Sequence, residues 1–398
     1  MKKVLYVIDN KFRDLWGFYD LKKSLIKKNY SLEFCNKFNW RLGIDYINPD
    51  IIILPNIRKD ILAFQKIVNF AEKKKIKIVI YPSESLDFGE EYLRNEFPME
   101  VVEKVEKVLL WSDEQGQYLL KDGFRKKIRT VGTVRFQKID KKNNKKKVKV
   151  IGITGSGRYL APAAGKANVP RFIYSRQKNR RLVGAIKNEV EFLDFVSKVI
   201  NRFSETEIKI IFKPHPFENP EVYKDAFVNL NIEDHPDIRV FLSKIDLLIN
   251  QQSSANLSAI ASEIPVINVS DAIILSKDYQ EVDDSYLPTK IGVMINDEND
   301  LYNLISNHSV NDLFKKNVEK GDVKLLEKLV PKLNTIELMT EEITNIKIEK
   351  SKAKNIFKGI LYFMKEMFLF YKEKNRIALF RPFKASDRNL IKIFKINY

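Results

Sequence analysis

Between Ile208 and Ser270 the chain twice follows an apolar run with polar residues suited to holding a phosphate. The first, IKIIFKPHPFENPEVY from Ile208, has the pattern of a β-strand ending in Lys213-Pro214-His215-Pro216. The second, DLLINQQSSANLSAIASEIPVI from Asp246, reads as a strand ending at Asn250, after which Gln251, Gln252, Ser253 and Ser254 lead into a helix. An ammonium and an imidazole at one strand end can meet a diphosphate or a phosphate ester, and Pro214 and Pro216 fix the backbone of that loop. Ser253 and Ser254 open a helix, where backbone N–H groups and the helix dipole favour an anion. On a parallel sheet both strand ends lie at the carboxyl edge, where open α/β sheets bind ligands. Jointly they describe a nucleotide-phosphate site.

The elements that must position these residues are legible as two α/β units. Residues 1–140 alternate short apolar runs, at 4–9, 31–36, 50–55, 77–82, 107–112 and 128–132, with amphipathic segments at 20–28, 57–75 and 113–123. Such alternation predicts a parallel sheet with helices on both faces. Asp113 is a candidate N-cap and Gly123 a candidate C′ residue. Trp16-Gly17, with Asn10 and Arg13, is read as a loop after the first strand that could bind an acceptor. The polar, basic run 140–149 is the best domain boundary. A second unit, 148–345, opens with the strand 148–155 and the small-residue loop Gly155-Ser156-Gly157-Arg158. These glycines form no G-x-G-x-x-G run, so they point to close approach of a ligand and not to a dinucleotide. An amphipathic helix follows at 181–203, with further strands at 265–270 and 291–297 and a helix capped by Asp297 or Asp300. Residues 161–180 have no period and are expected to form a loop over the site.

Composition narrows the class. The 398 residues carry a formal net charge of +18, which calls for an anionic partner. No compact arginine–aromatic element of the nucleic-acid-binding kind is present, so no nucleic-acid partner is expected. A single cysteine, Cys35, rules out a disulfide framework and fits a reducing compartment. The three histidines, 215, 235 and 308, are scattered, and no convincing D-x-D occurs, so no metal site is expected. No apolar run approaches a membrane span. Residues 346–398 differ in character: 347–398 hold 14 Lys or Arg against 4 Asp or Glu, interleaved with Phe, Leu, Ile and Met. A basic amphipathic segment of this kind suits an anionic membrane surface, and a cytoplasmic protein peripheral at the inner face of the cell membrane is expected.

KPHPFENPEVY followed by DLLINQQSSANLSAIASEIPVI resembles the second half of a GT-B glycosyltransferase. The likeness is to bacterial surface-carbohydrate enzymes with an "HP" and a "Ser-Ser/Thr" motif, among them sialyltransferase-like and Kdo-transferase-like proteins. It implies two Rossmann-like domains facing across a cleft, with the acceptor on 1–140 and the nucleotide sugar on 148–345. It further implies that His215, Pro216, Ser253 and Ser254, with Lys213, Gly155 and Ser156, meet the donor. In such families an acidic motif after the fourth strand supplies the general base; here Ser83-Glu84-Ser85 stands there, making Glu84 the first candidate and Asp87 the second. The implied activity is an inverting, metal-independent transfer in capsule, polysaccharide or lipopolysaccharide synthesis. No cofactor is required beyond the nucleotide-sugar donor, and a glycan or lipid-linked hydroxyl accepts the sugar. Enzymes using UDP- or GDP-sugars carry a ribose-holding Glu in a pattern like E-A-x-A-x-G-x-P; aligned on Pro265, that Glu is Ser258 and the Gly is Glu263. This favours a CMP-linked donor. A CDP-glycerol-type phosphotransferase, a nucleotide-sugar epimerase and a non-catalytic scaffold share the layout.

Overall fold

The computed structural model describes residues 1–9, 11–37, 39–58, 61–83, 89–121, 123–135, 147–155, 160, 180–215, 218–227, 230–235, 237–273, 287–329 and 334–348. Contacts divide the chain into two units, Met1–Arg135 with Lys328–Tyr398, and Phe136–Glu327. The basic segment expected at 346–398 lies outside the described residues from 349 onward, as do 161–179 and most of the 140–149 boundary.

In the first unit six parallel strands, β1 (Lys2–Ile8), β2 (Tyr30–Asn36), β3 (Ile51–Leu54), β4 (Lys77–Ile80), β5 (Lys107–Leu110) and β6 (Ile128–Thr130), pair in the order β2-β1-β3-β4-β5-β6. All four residues of β3 are buried, the mark of a strand covered on both faces. Helix α1 (Lys11–Lys27) follows β1, α2 (Leu62–Lys73) precedes β4 and α3 (Asp113–Lys121) follows β5. α2 buries Phe64, Ile67, Val68 and Ala71, the spacing of one helical face. The expected loop at Trp16-Gly17 is instead part of α1. Gly17 is there for packing: a Cβ on it would lie 2.3 Å from Cγ2 of Val134. Asp113 begins the helix proper, and its carboxylate accepts a hydrogen bond from the Thr130 hydroxyl.

The second unit holds β7 (Val150–Thr154), β8 (Lys209–Lys213), β9 (Asn231–Ile232), β10 (Leu247–Asn250), β11 (Val266–Asn268) and β12 (Val293–Met294), ordered β12-β11-β10-β7-β8-β9 and parallel throughout. Counted within the unit from β9, this is the 3-2-1-4-5-6 order of a Rossmann sheet. Helices α4 (Arg180–Phe203), α5 (Pro220–Ala226), α6 (Ile238–Lys244) and α7 (Ala255–Ala261) connect its strands, and α8 (Glu298–Asn307) and α9 (Val310–Lys320) follow the last one. Asp297 is the N-cap of α8, accepting from Asn299 N and Asp300 N at 2.8 Å each. Asn317 stitches the N–H and C=O of Val266 to α9, at 3.0 Å each.

The last described helix, α10 (Thr335–Thr344), falls by sequence within the expected 148–345 unit. It packs on the first unit instead. Met339 and Ile343 are fully buried, and the Thr340 hydroxyl donates to Ser24 Oγ at 2.9 Å. Tyr30 OH donates to Thr344 O at 3.2 Å, and Glu342 pairs with Lys107 at 2.9 Å and Arg129 at 3.1 Å. Among the described residues no helix is long and apolar enough to cross a membrane.

Gly152 lets the segment after β9 pack directly on β7. A Cβ there would meet Ile245 Cδ1 at 2.6 Å and Phe241 Cζ at 2.7 Å. Gly152→Ala should therefore destabilise the protein by about 1–3 kcal/mol, read as a lower urea midpoint with unchanged slope. An unchanged midpoint would show that α6 yields freely.

Candidate functional site

The second sheet reverses its strand order between β7 and β10, which opens a crevice at their carboxyl ends. Gly155 follows β7, Gln251–Ser254 follow β10, and Lys213-Pro214-His215 ends and extends β8, the next strand over. The two motifs singled out by sequence therefore flank the loop opened by Gly155.

The β10 side is held by amides. Asn250 Oδ1 accepts from Thr154 Oγ1 at 2.7 Å and from Ser253 N at 3.1 Å, and its Nδ2 donates to Ser253 O at 2.9 Å. Gln251 and Asn188 of α4 exchange hydrogen bonds, Nε2 to Oδ1 at 2.7 Å and Nδ2 to Oε1 at 3.2 Å. Both are buried, so neither amide keeps an unpaired group there at a desolvation cost. Ser253 Oγ accepts from Ala255 N at 3.3 Å. Ser254 occupies the N-cap position with φ −62° and ψ −4°, and its hydroxyl makes no capping bond. The turn is thus preset by Asn250 and Ser253, and Ser254 is not what caps α7.

On the β8 side Lys213 and His215 have different partners. Lys213, 9 % exposed, donates from Nζ to His235 O at 2.6 Å. Burial pushes its pKa down from 10.5 to about 8, with the carboxylates of Glu233, Asp234 and Asp237 opposing the shift. Its ammonium is engaged with the 233–237 turn. His215 is half-buried, and its backbone N–H donates to Glu218 Oε2 at 2.7 Å.

Glu218 is the residue that sequence reasoning passed over. It is 4 % exposed and sits against Gly155, where a Cβ would lie 2.3 Å from its Oε2. One carboxylate thus touches both the β7 loop and the β8 loop, in space that only a glycine leaves. The signal was present as the acid three residues after the histidine in HPFEN. Tyr223 of α5 packs beside it. Burial first, then the nearby Glu218 carboxylate, raises the Tyr223 phenol far above its ordinary range and keeps it protonated. A second buried acid, Glu189 of α4, accepts from Leu160 N at 3.0 Å. Glu263, standing where the resembling pattern has glycine, takes φ 59°, the left-handed region that glycine favours.

Ser156, Pro216, Glu84 and Asp87 lie outside the described residues. Among the described residues no group of three or more His, Cys, Asp or Glu is arranged to hold a metal ion.

No protein-family model and no curated protein sequence matches the chain. Solved structures do. The wall teichoic acid polymerase TagF, solved with CDPG, is similar at 11 % identity and a TM-score of 0.51, covering 87 % of this chain and 90 % of its own. A putative UDP-N-acetylglucosamine 2-epimerase from Listeria monocytogenes is similar at 12 % identity and a TM-score of 0.50, covering 89 % and 100 %. The fold is GT-B, with two Rossmann-like units. At these identities the likeness establishes architecture alone.

Lys213 gives this site a pH signature. Its folded pKa lies below its ordinary one, so below about pH 8 both folded and unfolded chains hold the proton and the full penalty of burying the charge is present. Between about pH 8 and 10.5 only the unfolded chain keeps it, and stability rises with pH. The unfolding free energy of the wild type minus that of Lys213→Met should grow by on the order of 2–3 kcal/mol from about pH 7 to about pH 10. A flat difference would mean that Lys213 stays charged throughout.

Proposed function

We propose that the chain is an inverting, metal-independent glycosyltransferase of bacterial cell-surface polysaccharide or lipopolysaccharide assembly, moving a sugar from a nucleotide donor to a hydroxyl of a glycan or lipid-linked acceptor. The observation that carries this is the position of the HP and Ser-Ser elements. They end the strands that flank the switch-point strand of a Rossmann sheet, in a unit of a GT-B fold. A nucleotide phosphate at that edge would lie between the glycine-opened β7 loop and the preset β10 turn.

The residues take distinct roles. His215 is assigned to the leaving phosphate, its loop held by Glu218. Lys213, whose ammonium is bonded to His235 O, is assigned to shaping that loop and not to contacting phosphate directly. Glu84, with Asp87 as second candidate, is assigned as the base that takes the acceptor proton. The acceptor oxygen then attacks the anomeric carbon, the bond from that carbon to the phosphate oxygen breaks, and the electron pair leaves on the nucleotide. Charge on that oxygen is what His215 stabilises.

A CMP-linked donor of the sialic acid or Kdo type fits best. Ser258 is buried in α7 where a ribose-holding glutamate stands in the UDP- and GDP-sugar pattern, and it supplies no carboxylate. A second reading, CDP-alcohol phosphotransfer with attack at phosphorus, draws on the architectural likeness to TagF, a polymerase solved with CDPG. In either case the basic segment 347–398 is proposed to hold the protein at the inner face of the membrane, near lipid-linked acceptors.

A thermal-shift panel of CMP, CDP, UDP, GDP and ADP on wild type and His215→Ala tests the proposal. A nucleotide at a hundred times its dissociation constant adds about 2.7 kcal/mol. Stabilisation by CMP that is lost in His215→Ala is expected. Preference for CDP with turnover of a CDP-alcohol favours the second reading, preference for UDP or GDP overturns the donor class, and silence across the panel overturns the nucleotide site.

A further inference from the structure

The first unit has its own switch point, between β1 and β3, and its own carboxyl edge beside it. Three buried polar atoms there have no hydrogen-bond partner: Asn56 Oδ1 just after β3, Ser83 Oγ just after β4 and Ser112 Oγ just after β5. The three residues are 8 %, 4 % and 0 % exposed. They occupy neighbouring positions, because β3, β4 and β5 are adjacent and parallel. Ser83 N donates to Pro55 O at 3.0 Å, which sets Ser83 beside Asn56. Trp111 Nε1 donates to Pro82 O at 2.8 Å, which sets Ser112 beside Ser83. Two strand spacings separate the outer members, about 10 Å.

Leaving a buried polar atom unpaired costs about 1–3 kcal/mol, so such atoms are few and each calls for a cause. These three share one edge of one sheet, on neighbouring strand ends. The surroundings are otherwise well satisfied. Tyr81 OH accepts from Val134 N at 2.9 Å and donates to Gly132 O at 3.4 Å, and burial pushes its pKa up to about 12. Gln115 Oε1 accepts from Trp111 N at 2.8 Å, and Arg135 Nη1 donates to Ser83 O at 3.3 Å. The backbone of the edge is tied down while the three side-chain atoms are left over.

We infer that Asn56, Ser83 and Ser112 form a binding site for a neutral, hydroxyl-rich ligand, the sugar end of an acceptor. Their chemistry selects that class. Asn56 Oδ1 only accepts, so its partner must donate, and a carboxylate or a fully ionised phosphate ester offers no donor. The two serine hydroxyls both donate and accept. A sugar hydroxyl does both as well, and a row of them satisfies all three atoms. The atoms are closed to solvent in the free chain, so binding requires this edge to open. The inference takes up the acceptor side of the proposed transfer and rests on that reading for the choice of sugar, while the donor side is read separately by nucleotide.

The test uses the full chain, wild type against Ser112→Ala and Asn56→Ala, titrated with the methyl glycosides of galactose, glucose and N-acetylglucosamine, with inorganic phosphate as the anionic arm and CMP and UDP as the donor arm. Removing an unpartnered hydroxyl is neutral or stabilising in the free protein, so Ser112→Ala should melt at or above the wild-type temperature. It should keep the nucleotide response and bind the best glycoside about tenfold more weakly. Asn56→Ala should lose glycoside affinity likewise. A clearly lower melting temperature for free Ser112→Ala would show that the hydroxyl serves the fold, and would overturn the inference. So would a wild type that responds to nucleotide and to none of the glycosides, an outcome that leaves the transferase reading standing. Protection by phosphate equal to that by glycoside would overturn the ligand class.

Discussion

The hydrogen bond from His215 N to Glu218 Oε2, made in space that Gly155 leaves empty, is the constraint on which the second-unit site depends. β7 and β8 are paired through Thr154 and Lys213, but pairing alone does not set the path of the chain beyond them. The carboxylate does so from below, touching one loop through a backbone amide and the other through the missing Cβ. A hydrogen bond to a charged group contributes about 1.5–3 kcal/mol, enough to hold one loop conformation against thermal exchange. Tyr223, held neutral beside it, adds no second negative charge to a region proposed to accept a phosphate.

The two sheet edges carry different polar side chains. In the second unit Asn250, Gln251, Ser253 and Asn268 satisfy one another or nearby backbone, so the edge is preformed and presents a fixed shape. Preorganisation of this kind lowers the ordering cost of binding and suits a ligand whose charge develops at one place. In the first unit the backbone is equally tied, and three side-chain atoms on neighbouring strand ends have nothing to bond, as do Tyr223 OH and Asn256 Oδ1 in the second. Such atoms cost stability in the free protein, and the proposed sugar ligand would offset that cost.

Much of the architecture was legible because parallel strands buried on both faces read as continuous apolar runs. IIIL at 51–54 and LLI at 247–249 are such runs, and both are strands. What escaped was set by contacts distant in sequence. β9 is two residues long and has no pattern of its own. Gly17 looked like a loop residue because its reason, Val134, is more than a hundred positions away. The period of α10 announced a helix but not the unit on which it packs, since Ser24, Tyr30 and Lys107 carry no local mark of that partner. Lys213 was read as facing phosphate from its motif. Strand alternation places it opposite to its neighbours, and the carbonyl it reaches, on His235, comes from a turn that motif spacing does not reveal. The same limit hid Glu218, whose meaning lies in its distance to Gly155.

Glu263 and Ser258 show how backbone and chemistry can part company within one motif. The backbone at 263 keeps the left-handed conformation that the resembling pattern assigns to glycine, although glutamate pays roughly 1–2 kcal/mol for it. Ile264 N bonding to Ala259 O at 2.9 Å closes α7 around that residue, so the turn is enforced by the helix end and not by the side chain. The turn is therefore present with a buried serine at 258, the position where the resembling pattern places a carboxylate.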